Sequence, residues 1–189
     1  MTYLSKGKLY RQSKQSVTVS HCGALHKLTG PQAALWLMGQ YAPSHINRAD
    51  RADQISELER LAETGIVQCC DNGDDVALFR LLTNCVICPV RKSVFAVGWS
   101  PAERRLWLWL TKAGLRLTMA ELTLLSEHGV EPVPALFGER NRQALTEAIY
   151  TTDTISDGIL ESHMEKSPAR DVTVQTVLGL LRKKKIILI

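Results

Sequence analysis

Apolar residues along this chain switch between a helical and a strand-like period. Near the C-terminus Val174, Val177, Leu178 and Leu181 fall at i, i+3, i+4 and i+7, one stripe of a helix over about 171–185. That spacing assigns Thr173, Gln175, Thr176, Gly179, Arg182 and Lys183 to the opposite, solvent-facing side. A helix from about Ile155 and a tight turn precede it, and Ile186–Ile189 reads as a strand. Upstream, Ile55, Leu58, Leu61 and Ala62 form a second helical stripe over 53–63. Residues 8–27 instead alternate in places, as in Val17-Thr18-Val19-Ser20-His21-Cys22, and predict one or two strands.

Capping and turn residues punctuate these segments. Thr29, Pro31 and Gln32 combine an N-cap hydroxyl, an early proline and a glutamine at N3, a capping-box start for a helix over 33–41. Ser100, Pro101 and Glu103 repeat the pattern for a helix through Trp107 and Trp109 to about 113. Thr118 and Glu121 open another, closed by Gly129, and a stiff proline-rich connector follows from Val130. A further helix is predicted from Asn141 to about Thr151. Asn72-Gly73 stands between the apolar runs 66–70 and 76–82 and predicts a type I′ hairpin.

Helix, helix, hairpin is a winged-helix order. The chain is therefore expected to be α+β and mainly helical, built as tandem winged-helix-like units that each carry three or more helices and a small hairpin or short strands. The first unit covers 1–98, with N-terminal strands and a hairpin near 66–84. The second covers 99–189, is mostly helical, and ends in a helix-turn-helix and a short strand.

The run Thr173 to Ile187 resembles the recognition helix and following strand of winged-helix repressors of the penicillinase-repressor (BlaI-like) and MarR-like kind, over about residues 155–189. The shared pattern is one of residue types, and the run reaches Ile189 without a returning wing strand. The resemblance implies a DNA-binding transcriptional regulator, as a homodimer, with helix 171–185 in the major groove. Thr173, Gln175 and Thr176 would face bases, while Arg170, Arg182, Lys183 and Lys184 would meet phosphate.

Charge is segregated along the chain. Residues 1–48 hold Lys6, Lys8, Arg11, Lys14, Lys27 and Arg48 and no acid, a balance of +6, and residues 166–185 carry +5; the total of +4 leaves −7 for the rest. Two basic ends around an acidic centre could present cationic surfaces to a polyanion. The helix 53–63 carries Asp53, Glu57, Glu59 and Glu63 against Arg60 alone, and phosphate would repel it. The unit 1–98 is thus also a candidate for binding a protein or peptide, as an adaptor or a partner in peptide maturation. Its strand, helix and hairpin order is similar in shape to peptide-recognition winged helices.

No run reaches the ~18 apolar residues of a membrane span, and the N-terminus lacks the apolar stretch of a signal peptide. A cytoplasmic protein with reduced thiols is expected, which suits the odd count of 5 cysteines. Cys85-Val86-Ile87-Cys88 has the spacing of half a structural zinc site. The other half is missing from the neighbouring sequence; His21, Cys22 and His26 would complete it only if the early strand lay alongside. Buried or idle thiols are the favoured reading. No nucleophile elbow or phosphate-binding glycine loop occurs, and the five histidines are scattered. The expectation is a non-catalytic protein without metal or cofactor.

Overall fold

The computed structural model describes residues 1–47, 52–90, 98–112, 117–136, 147, 149–150 and 157–189. At its centre runs β1 (Thr2–Ser5), buried at every position. Burial on both faces removes the alternation that reveals a strand from sequence, so β1 was not among the expected elements. It pairs antiparallel with β5 (Ser44–His45) on one side and β6 (Val67–Cys70) on the other. Successive residues of β1 face different cores, with Tyr3 in one apolar cluster and Leu4 in another.

The smaller cluster joins β1 to α1 (Gly30–Gly39) and α2 (Ala52–Glu63). Tyr3 Oη donates to the Leu35 carbonyl at 3.0 Å and Ser5 Oγ to that of Trp36 at 2.7 Å. Gly39 permits this approach, since a Cβ there would stand 2.7 Å from the Tyr3 ring.

The chain then turns at Gly7, with φ +99°, into a meander of β2 (Lys8–Gln12), β3 (Ser16–His21) and β4 (Ala24–Thr29). Three strands thus stand where one or two were expected. Cys22 and Gly23, both at positive φ between the paired His21 and Ala24, make the tight β3–β4 turn.

Asn72-Gly73, in contrast, does not make a hairpin. The Asp74 carboxylate accepts the Ala77 amide at 2.8 Å and caps α3 (Asp75–Thr83), while Asn72 Nδ2 donates to Asp74 at 2.8 Å. Val76–Leu82, expected as a strand, is helical because this cap coincides with apolar positions at helical spacing: Leu78, Phe79, Leu81 and Leu82 are all buried. The partner of β6 is β1 instead. The capping box expected at Thr29 is also absent. Thr29 makes no side-chain cap, and Gln32 donates to Glu57 of α2 at 2.7 Å.

The larger cluster gathers α3, β7 (Ile87–Pro89), α4 (Pro101–Lys112), α5 (Met119–Glu127), α6 (Asp157–Met164), α7 (Arg170–Arg182) and β8 (Ile186–Leu188). It draws on segments from both sides of residue 98, and β7 pairs antiparallel with β8. The capping boxes of α4 and α5 form as the sequence predicts. The helix expected over 141–151 falls largely outside the described residues. The fold is α+β, with seven α-helices and small antiparallel sheets among the described residues. Among them no helix is long and apolar enough to cross a membrane.

Candidate nucleic-acid interface

Helix α7 packs against α3, α4 and α5, and so much contact widens its buried stripe beyond the four residues of the sequence pattern. Thr173 and Thr176, expected on the solvent face, lie inside it at 2% and 9% exposure. Their hydroxyls donate within the helix, to Ala169 O at 2.8 Å and Val172 O at 2.6 Å. The exposed apolar residue of this helix is Val172. Gln175 is exposed but donates to Asp75 of α3 at 2.7 Å.

Three cations of the α7 region, Arg170, Lys183 and Lys184, are similarly engaged. Arg170 pairs with Asp171 at 2.6 Å and also reaches the Glu165 carbonyl. Lys183 Nζ lies 2.7 Å from both carboxylate oxygens of Glu103 and 3.2 Å from the Gly98 carbonyl. Lys184 adopts φ +57° and closes the helix: its amide bonds Leu181 O and that of Lys185 bonds Leu180 O, a Schellman arrangement. Its ammonium sits 5.0 Å from the Tyr41 ring centre. Arg182 is exposed.

The proposed half-site for metal is split by burial. Cys85 is buried just past the end of α3, with its thiol donating to Leu81 O at 3.4 Å and burial pushing its pKa up to about 11. Cys88 is half-buried in β7. Among the described residues no three His, Cys, Asp or Glu side chains converge as a metal site would need.

A different surface collects open cations. In the meander, Val17, Val19 and Leu28 are buried toward α1. Directly opposed residues share a face, and the register sets Lys8, Ser20 and Leu25 in one row, with Arg11, Thr18 and Lys27 in the next. A bulge between Leu9 and Arg11 leaves Tyr10 as an extra residue outside the cross-strand register, next to Arg11, which pairs with Thr18. Tyr10 is 68% exposed and Leu25 60%. Lys14 extends from the β2–β3 turn, which Ser13 Oγ organises by accepting the Gln15 and Ser16 amides.

Residues 1–47 contain no Asp or Glu. Among the described residues Lys8, Arg11, Lys14 and Lys27 have no ion-pair partner, whereas Arg170 and Lys183 of the α7 region do. Beneath the sheet, His21 is buried with Nδ1 unpartnered. Burial, then the nearby charges of Lys6 and His26, lower its pKa and disfavour a further cation there.

Sequence reasoning detected the acid-free N-terminal charge but not the surface it builds. The signal present was the run of cations with interleaved hydroxyls; strand count, register and the bulge decide which of them share a face. No family model, curated protein or solved structure matches the chain.

Proposed function

We propose that this protein binds nucleic acid without catalysis, through the outward face of the β2–β3–β4 meander. The observation that carries the reading is the set of unpaired cations Lys8, Arg11 and Lys27 on one sheet face in a segment without acids. Each phosphate such a cation neutralises releases condensed counterions, a favourable and sequence-independent source of affinity. Helix α7 serves in this reading as a packed scaffold, since the hydroxyls of Thr173 and Thr176 and the amide of Gln175 already have partners inside the molecule. Regulation of transcription by a DNA-bound homodimer is the broader form of the same proposal.

The test is fluorescence anisotropy of labelled oligonucleotides at low salt. The triple variant Lys8→Glu, Arg11→Glu, Lys27→Glu abolishes binding, while Arg182→Glu leaves it within about twofold, since it lies off the sheet face. Unchanged binding by the triple variant would sink the reading.

One observation favours a second function, peptide capture by strand addition. Strand β2 pairs with β3 alone, so its outer edge is open among the described residues. The cations then select an acidic extended peptide, and such a peptide, rather than an oligonucleotide, would saturate the protein.

A further inference from the structure

We infer that the meander face is a trough for a single nucleic-acid strand, with Tyr10 stacking on a base and Lys8, Arg11 and Lys27 holding backbone phosphates along its walls. This rests on the proposed nucleic-acid reading and narrows it to one ligand class.

The floor of the trough is the outward side of β3, where Ser16, Thr18 and Ser20 are all short and hydroxylated. No large side chain rises from this central strand, so a nucleic-acid backbone can approach the sheet closely. The walls are long: Lys8, Tyr10 and Arg11 on β2, Leu25 and Lys27 on β4. Two strand spacings set the walls about 10 Å apart, room for one strand lying between them. A duplex presents its bases only inside grooves, and the wider of them, about 12 Å across, suits a protruding helix or two-stranded ribbon. A three-stranded face is broader than such an element and would meet mainly duplex phosphates.

Tyr10 supplies what phosphate contacts alone do not. Its ring stands 68% exposed on a bulge, against the tendency of aromatics to bury, and Arg11 is the next residue along the strand. An open ring on a surface that also carries cations is the combination on which unpaired bases stack, and stacking tolerates any base because each has a π face. Leu25 on the opposite wall offers a second apolar contact, in the row of Lys8.

Anisotropy with an oligo(dT) of about 15 nucleotides, compared with a duplex of equal length, tests this on the full chain. The expected result is single-strand binding about tenfold or more tighter than duplex binding. Tyr10→Ala then weakens the single strand by about tenfold with an unchanged salt dependence, while Tyr10→Phe keeps wild-type affinity. Because the ring is exposed, both variants should retain the wild-type circular dichroism spectrum and melting temperature. Duplex binding equal to or tighter than single-strand binding, or wild-type affinity in Tyr10→Ala, overturns the single-strand inference and leaves the broader reading standing. Failure of both oligonucleotides to bind removes the two together.

Discussion

Lys183 Nζ stands 2.7 Å from each carboxylate oxygen of Glu103, so a cation that the sequence offers to DNA phosphate instead ties the end of α7 to the start of α4. Glu103 is 7% exposed and also accepts the Ser100 amide at 2.8 Å, closing the capping box. Gly179 leaves the space: a Cβ there would lie 2.8 Å from Glu103 Oε1. One buried carboxylate thus joins two helices and a cap.

Burial by itself raises the Glu103 pKa, but the hydrogen bonds from Lys183 and Ser100 outweigh it and hold the carboxyl below its ordinary value. A depressed folded pKa means stability that is present above the unfolded value of about 4.3 and lost as pH falls through the folded one. In urea titrations at several pH values, Glu103→Gln should lower stability at neutral pH by about 1–2 kcal/mol. It should also flatten the loss on acidification. An acid limb as steep as wild type would show that Glu103 is not a source of it.

Thr173 provides a direct check on the role of α7. Its hydroxyl bonds only an intrahelical carbonyl, so Thr173→Val should change stability by less than about 1 kcal/mol and leave nucleic-acid affinity untouched. Thr173→Arg, which would strengthen a groove contact, should instead destabilise by about 3 kcal/mol or more, because it forces a charge into a site 2% exposed. A stable Thr173→Arg variant with tighter DNA binding would restore the recognition-helix reading.

The meander depends on Gly7. At φ +99° a side chain is strained, and a Cβ would stand 2.6 Å from Val19 Cγ1. Gly7→Ala should cost about 2 kcal/mol or more in thermal or chemical unfolding, with the largest loss of hydrogen-exchange protection in β2 and β3. Full protection there would contradict the packing described.

Thiol chemistry separates the cysteines. Exposed Cys22 should react with a disulfide reagent in the native protein, whereas Cys85, with its pKa near 11, should react only on unfolding. Peptide mass mapping after brief labelling distinguishes the two, and rapid native labelling of Cys85 would refute its burial.

Legibility from sequence followed the physics of each element. Amphipathic α2 and the capped helices α4 and α5 were legible because one covered face or one cap sets them. Strand β1 was not, since clusters on both of its sides erase any period. Asn72-Gly73 is misleading because its turn preference yields to the competing helix cap at Asp74 two residues on. Thr173 and Thr176 misled for a tertiary reason: polarity at helical spacing marks the outer face only when one side of the helix is covered, and α7 is covered on several. The candidate interface was legible as charge, through the absence of acids from Met1 to Asn47, and illegible as geometry. Cross-strand register is a long-range property that local pattern does not encode.

The most direct test of the central claim is the salt dependence of oligonucleotide affinity. If Lys8, Arg11 and Lys27 are the phosphate contacts, the plot of log affinity against log salt for a single strand should have a slope of about −2. Replacing all three with alanine should bring that slope near zero, and replacing Arg182, Lys183 and Lys184 should leave it unchanged. A slope that survives the first replacement and collapses in the second would place the contact on α7 and contradict the account.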